Sequence, residues 1–253
     1  MPPRRMKVGV QENISRSNLL VVLVGTRNPL NIGAAARAML NFGFTRLRVV
    51  NPYEVAFREA RSAVGAREIL ETAEEYKTVG EAVADCRLVV GTTSVGHREL
   101  AHTLRRLEHG AALVRRQMQS APVALLFGSE KFGLTNDDLS HCHWLLRIAT
   151  ADQEHSMNLG QAVAVCLYEL THTKARAAGV RQRRRATAAE NEQITELLLE
   201  VLRSSGYLNP VTAGSTENKV RRLVRRLDLS AQDAPVLLGM MRQMRWKLGD
   251  DER

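Results

Sequence analysis

The sequence has only three cysteines, Cys86, Cys142 and Cys166, scattered along 253 residues. An odd, widely spaced set forms neither a disulfide framework nor a zinc pattern, so a reducing cytoplasm is the simplest compartment. Long apolar runs are missing too. No stretch approaches the roughly 18 uninterrupted apolar residues of a membrane span. The start, Met1-Pro2-Pro3-Arg4-Arg5, is basic but leads into no apolar signal core, so secretion is not expected. Two nucleotide-binding signatures also lack their deciding residues. No G-x-G-x-x-G follows the apolar run Leu19–Gly25, which removes the main evidence for a nicotinamide-binding fold. The stretch from Phe127 to Gly133 holds two glycines but no Gly-Lys-Ser/Thr ending, which excludes a P-loop nucleotidase.

What is present is ordinary globular composition, with 44% hydrophobic and 25% charged residues. The length suits one large domain, or one domain with an appendage. The charge says more. Thirty-six basic side chains against 27 acidic ones leave a net charge of +9. Such a balance favours a polyanionic partner, and nucleic acid is the usual one. Residues 1–172 carry net +3, whereas the shorter segment 173–253 carries net +6.

The first two-thirds alternates strand and helix patterns. Leu19–Gly25 is a continuous apolar run, as expected of a strand buried on both faces. Asn31–Phe42 is alanine-rich and helical, with Gly43 as its stop. Leu47–Val50 reads as a strand that ends at the turn signal Asn51-Pro52. Further strands are expected at Leu88–Gly91, Val123–Gly128 and Trp144–Ala149, with weaker helices over residues 56–85 and a helix over Ser156–Leu170. This alternation predicts an α/β fold, a parallel sheet covered by helices on both faces. After Thr171 the pattern changes. Residues 173–187 read as a basic linker and residues 188–253 as a small all-helical extension, with helices at Ala188–Ser204, Thr216–Leu227 and Ala234–Leu248 and a loop at Asn209-Pro210.

Ligands of parallel α/β sheets sit beyond the carboxyl ends of strands, and four loops stand out there. The first runs from Gly25 to Gly33 and is followed by Arg37, two turns into an otherwise small and apolar helix face. A guanidinium at that position is a fixed fork for phosphate. Asn31 also reads as a plain N-cap. The second loop, Gly91-Thr92-Thr93-Ser94, offers three hydroxyls directly after a strand. The third carries Gly128, where absence of a side chain lets a ligand approach the backbone. The fourth runs from Ile148 to Asn158, with Ser156 as a candidate N-cap. His141-Cys142-His143 has the composition of a metal cluster, but neighbours on a strand point to opposite faces and no second ligand pair exists, so no metal is expected.

Three of these stretches, Asn31-Ile-Gly-Ala-Ala-Ala-Arg37, Leu126-Phe-Gly-Ser-Glu130 with Gly133-Leu134, and Ser156-Met-Asn-Leu159, together resemble the three motifs of the TrmH group of SPOUT RNA methyltransferases, in order and spacing. Within that group the chain most resembles bacterial enzymes that methylate the ribose of the pyrimidine nucleotide at position 32 in the tRNA anticodon loop. This closer likeness rests on Val49-Val50-Asn51-Pro52, Val89-Val90-Gly91-Thr92, Gly133-Leu-Thr-Asn136, the turn Gly206-Tyr207 and the stretch Asn218-Lys219-Val-Arg221-Arg222-Leu223. The resemblance implies a C-terminal trefoil knot in the 1–172 domain, S-adenosylmethionine as cofactor, a homodimer with the site at its interface, and tRNA as substrate. It places Thr92, Thr93, Ser94, Gly128, Ile148, His155, Ser156 and Met157 around the cofactor. Arg37 and Ser156 match the catalytic positions, and Asn31, Arg37, Glu130 and Asn158 fall on the substrate side. Where the family pattern has serine before the motif serine and leucine after it, this chain has His155 and Met157. His155 is expected to face solvent.

The chemistry fits these residues. Methylating a ribose hydroxyl is an in-line displacement that needs alignment and the loss of one proton, and no metal. A guanidinium surrenders its proton only near pH 12.5–13.8, and bringing that to neutrality costs about 8 kcal/mol. Arg37 is therefore expected to clamp phosphate and position the ribose, with the proton leaving to solvent or through the RNA. In the extension, Arg221 and Arg225 are four residues apart, as are Arg222 and Arg226, which predicts two basic ridges that grip the RNA backbone. Two alternatives compete. One is ribose methylation of ribosomal RNA. The other is a non-catalytic RNA-binding factor on the same scaffold, against which the intact Arg37, Gly128, Ser156 and Asn158 argue.

Overall fold

In a computed structural model, residues 16–52, 65–94, 102–151, 156–172, 184–208 and 213–250 are described. His155, Arg183, most of the expected linker, the Asn209-Pro210 loop and the first five residues lie outside them. The strand expected at Leu19 is β1 (Leu19–Val24), with all six residues buried. Each large aliphatic side chain so buried contributes about 1.5–3 kcal/mol, which favours a place for this strand inside the sheet and away from its edges. Around it stand β2 (Arg46–Val50), β3 (Glu74–Tyr76), β4 (Leu88–Thr92), β5 (Leu104–Arg106), β6 (Val123–Phe127) and β7 (Trp144–Arg147). Their order is β3-β2-β1-β6-β4-β7-β5, and every pairing is parallel.

Among the described residues, the helices of this body are α1 (Pro29–Phe42), α2 (Arg67–Glu71), α3 (Val79–Ala82), α4 (Leu107–Met118), α5 (Asn136–Ser140) and α6 (Leu159–His172). Side-chain alternation along the strands assigns them to the two faces. Leu19, Val21 and Leu23 pack with α1, α2, α4 and α6. Leu20, Val22 and Val24 pack with α3, with Leu139 of α5 and with Ala188. The expected sheet with helices on both faces is the observed one.

Helix α1 begins earlier than its pattern suggests. Asn28, not Asn31, is the N-cap, and its side chain accepts from the Leu30 amide at 3.0 Å. Pro29 then occupies the first helical position, where a missing N–H costs nothing. Gly43 ends the helix in the left-handed region, at φ 73°. Likewise α6 starts at Leu159 rather than Ser156, because Asn158 accepts from the amides of Gly160 and Gln161 at 2.9 and 3.4 Å.

The tail forms α7 (Ala188–Ser204), α8 (Ala213–Arg226) and α9 (Asp233–Asp250). A reciprocal cap opens α7: Thr187 Oγ1 accepts from the Glu190 amide at 3.1 Å, and Glu190 accepts from the Thr187 amide at 2.7 Å. Ile194, Val224, Ala234 and Leu238 give the tail its own small core. It also docks on the body. The amides of Ala188 and Ala189 donate to the carbonyls of Cys86 and Ala84 at 2.8 and 3.0 Å. Arg87 donates to the Arg185 carbonyl, and Arg185 pairs with Asp228 at 2.5 Å.

Candidate active site

Strands β6, β4 and β7 are neighbours in the sheet, so the loops at their carboxyl ends converge. They enclose a cavity of about 400 Å³. The loops after β4 and β6 are fixed by their own bonds. Thr92 Oγ1 donates to the Leu126 carbonyl at 2.8 Å, and the Thr93 amide donates to the Leu146 carbonyl at 3.0 Å. After β6 the chain turns back at once, with the Gly133 amide donating to the Ser129 carbonyl at 2.8 Å. Gly128 must be glycine for that turn to close. A Cβ there would lie 2.0 Å from the Gly133 carbonyl carbon and 2.2 Å from the Leu134 nitrogen, both backbone atoms that cannot step aside.

Of the residues expected around the cofactor, Thr92, Thr93, Ser94, Gly128, Ile148, Ser156 and Met157 line this cavity. The apolar wall is the part that motif reading does not reach. Leu134, Leu139, Leu146, Leu159 and Ala162 supply it, with Arg147 at the rim. Only the helical spacing from the Thr135 cap to Leu139 hints at part of that wall. A pocket of this size, apolar within and ringed by hydroxyls and backbone groups, suits a nucleoside-sized ligand.

The substrate-side residues separate into two places. Asn31, freed from capping, donates through Nδ2 to Glu130 Oε1 at 3.0 Å and accepts through Oδ1 from Asn158 Nδ2 at 2.8 Å. One short chain of bonds thus ties α1 to the Glu130 loop and to the start of α6. Glu130 also lines the cavity, which leaves this network at its mouth. Arg37 stands apart. It is exposed on α1 and does not line the cavity of its own chain. Its face of the helix also carries Leu30 and Leu40, 80% and 47% exposed.

The tail corrects one expectation. Arg225 is 2% exposed, so it is not part of an RNA-facing ridge. Its Nη1 donates to the Ala188 carbonyl at 3.0 Å and its Nη2 to Glu192 at 3.2 Å. Burial, partly offset by the Glu192 carboxylate, lowers its pKa to about 10. Arg221 is turned inward with it, donating through Nε to the same carboxylate at 3.0 Å. The physical reason is Glu192 on α7, a counter-charge that lies outside the sequence of α8. Arg222 and Arg226 remain on the outer side, half-buried and exposed.

His141 is buried and His143 half-buried, and both serve packing. The Val89 amide donates to His143 Nδ1 at 3.1 Å. Burial, reinforced by Arg225, pushes both imidazoles down to about 3. Glu192 lies 3.8 Å from His141 Nδ1, yet its charge is already shared by two guanidinium groups, so the field on His141 stays positive. Among the described residues no cluster of His, Cys, Asp and Glu is arranged to hold a metal, and no helix is long and apolar enough to cross a membrane.

The parallel α/β sheet with its cavity at three adjacent strand ends is the fold of a SPOUT-type methyltransferase, and the Glu130–Asn31–Asn158 bonds lie at the mouth of that cavity. Residues 18–168 match the SpoU rRNA methylase family, and the chain belongs to it. Its relatives narrow the group. A protein of Klebsiella pneumoniae named tRNA (cytidine/uridine-2'-O-)-methyltransferase TrmJ is 36% identical, over 88% of this chain and 95% of its own. The protein of that name from Cronobacter sakazakii is 35% identical, over 88% and 94%. The crystal structure of TrmJ from Z. mobilis ZM4 superposes with a TM-score of 0.78 at 30% identity, covering 89% of this chain and 98% of that one.

Proposed function

We propose that this chain is a tRNA 2'-O-methyltransferase that uses S-adenosylmethionine and acts on the pyrimidine nucleotide at position 32 of the anticodon loop. The observation that carries the reading is the cavity of about 400 Å³ with the Glu130–Asn31–Asn158 network at its mouth. The match to relatives along most of the chain, tail included, supports tRNA over ribosomal RNA.

The cavity fits the cofactor. Leu134, Leu139, Leu146, Ile148 and Leu159 form a slot for a flat heterocycle, and Thr93, Ser94, Ser129 and Ser156 offer hydroxyls at its edge. When bound, the cofactor supplies a methyl group already activated on a sulfonium sulfur. The protein's work is then alignment and exclusion of water, which can account for several kcal/mol of the barrier. Asn31, bonded to Glu130 and Asn158, would hold the loops at the cavity mouth in place, and Arg37 would clamp an RNA phosphate so that the ribose hydroxyl points inward. Its proton leaves to solvent or to the RNA. In this reading the family's trefoil knot is formed by the cavity loops, the protein works in the cytoplasm, and residues 1–172, 173–187 and 188–253 divide as catalytic domain, linker and RNA-binding extension.

Arg37 reaches substrate only if the protein is a homodimer, with the exposed face of α1 set against a second copy. The exposure of Leu30 and Leu40 beside Arg37 supports this. The test is methyl transfer from labelled S-adenosylmethionine to tRNA and to ribosomal RNA, with the product mapped by mass spectrometry. A 2'-O-methylated nucleotide 32 is expected. Methylation of ribosomal RNA alone, or of neither, would overturn the assignment.

A further inference from the structure

Helix α5 separates the cavity from the tail. On one side Leu139, 3% exposed, forms cavity wall together with Leu134 from the preceding loop. On the other side α5 meets α8. Arg221 Nη1 donates to Ser140 Oγ at 3.3 Å and lies 3.8 Å from Asp137 Oδ1. Ser140 is itself oriented, donating to the Asp137 carbonyl at 2.6 Å. Arg221 has little freedom to move. Its Nε donates to the two oxygens of Glu192 at 3.0 and 3.2 Å, and Nη1 also donates to Asn218 at 3.0 Å. Glu192 is anchored in turn by Arg225, whose other nitrogen donates to the Ala188 carbonyl.

Apolar packing alone tolerates small slides of one element over another. A half-buried carboxylate shared by two guanidinium groups, one of them fully buried, resists sliding, because a displaced Arg225 charge is left unpaired in a poor solvent. The directional bonds therefore set the register of the tail on α5. A five-residue helix has little hold of its own beyond its Thr135–Asp138 cap and the packing of Leu139 on the sheet, so what grips α5 from outside adds to what fixes Leu139 in the cavity wall.

We propose that Arg221, held by Glu192, is a positioning residue for the cofactor cavity: it fixes α5, and with it the Leu134–Leu139 wall, so that the tail and the cavity respond to each other. Coupling of this kind is reciprocal, so RNA engaged by the tail would tighten cofactor binding by the same factor that cofactor tightens RNA. The inference rests on the cavity being the cofactor site.

The experiment uses the full chain carrying Arg221→Ala, Arg221→Lys or Ser140→Ala, with Arg245→Ala as control. Arg245 pairs with Glu200 in the same tail at 2.9 Å, away from α5. Calorimetry with S-adenosylhomocysteine should show about tenfold weaker binding in Arg221→Ala, roughly 1.4 kcal/mol. The same direction but a smaller change is expected in Ser140→Ala, partial recovery in Arg221→Lys, and no change in Arg245→Ala. KM for the methyl donor should rise while kcat at saturation is retained. Hydrogen exchange on the ligand-free proteins separates this idea from the one it rests on. Amides of residues 134–142 should exchange faster in Arg221→Ala, and those of β1 should not. If the wild type fails to bind S-adenosylhomocysteine, the cavity assignment falls and the exchange result still decides whether Arg221 fixes α5. Unchanged exchange at 134–142 would overturn the proposal. So would a uniform increase along the whole chain, which would mean general loss of stability.

Discussion

Asn31 and Arg37 leave the same helix six residues apart and serve different places. Six residues turn an α-helix through about 240°, so two side chains at that spacing do not share a target. Asn31 turns toward Glu130 and Asn158, whereas Arg37 stands on the exposed face. This division sets what each substitution should do. Arg37→Ala should leave S-adenosylhomocysteine binding intact, because no cavity wall is touched, and should lower methyl transfer on the order of 100-fold or more, the usual penalty for a misplaced reactant. Arg37→Lys keeps the charge but loses the planar two-pronged grip, so partial activity is expected. Calorimetry and single-turnover transfer on the three proteins check this. Unaltered transfer in Arg37→Ala would remove the residue from the mechanism.

At the scale of elements, legibility in the sequence follows burial. Strands β1, β4 and β6 are continuous apolar runs because both faces are covered, and their pattern stands out. The edge strands β3 and β5 are not legible, since Glu-Glu-Tyr and Leu-Arg-Arg carry the charge that protects an open edge and hides the strand signal. Helices α1 and α6 begin away from their expected starts because Asn28 and Asn158 take the caps. The ridge on α8 escapes sequence reading for a different reason: its counter-charge, Glu192, sits 33 residues away from Arg225 on another helix. That junction has a measurable signature. His141 and His143 are held neutral with pKa values near 3, below the ordinary value of about 6.5. Between those limits the unfolded chain binds more protons than the folded one, so stability is full above pH 6.5 and falls as pH drops toward 3. The slope is about 1.4 kcal/mol per pH unit for each imidazole. Denaturant unfolding at pH 7.5 and 5.5 should therefore differ by about 2–3 kcal/mol from this pair. A double variant with asparagine at both positions should lose most of that difference, and an equal difference in both proteins would contradict the account.

At the scale of the molecule two predictions depend on how copies and charges are arranged. If Arg37 serves a partner's cavity, two inactive variants should complement. Gly128→Ala blocks the turn that shapes the cavity, and Arg37→Ala removes the clamp. In a mixed dimer one site carries both defects and the other carries none. Equal mixing should therefore recover about a quarter of wild-type transfer once subunits have exchanged, with dimer content followed by sedimentation. No recovery in confirmed mixed dimers would place Arg37 in its own chain's site. The basic excess of the tail is more narrowly placed than composition implies. Segment 173–253 carries net +6, but Arg221 and Arg225 spend their charge on Glu192, Arg185 on Asp228 and Arg203 on Glu217. Lys219 is exposed on α8, and the outward arginines of that helix are Arg222 and Arg226. Replacing both with glutamine should weaken tRNA binding uniformly across sequences. The slope of log affinity against log salt should fall by about one for each phosphate that is no longer neutralised. Arg225→Met should behave oppositely. It should leave the salt slope unchanged, because Arg225 is buried, and should cost on the order of 1–3 kcal/mol of stability by leaving the Ala188 carbonyl without its donor and the half-buried Glu192 with Arg221 alone. Binding titrations from low to moderate salt on folded protein, paired with unfolding curves, separate the two. A reduced slope in Arg225→Met with stability intact would mean that this side chain leaves its buried pair to meet RNA.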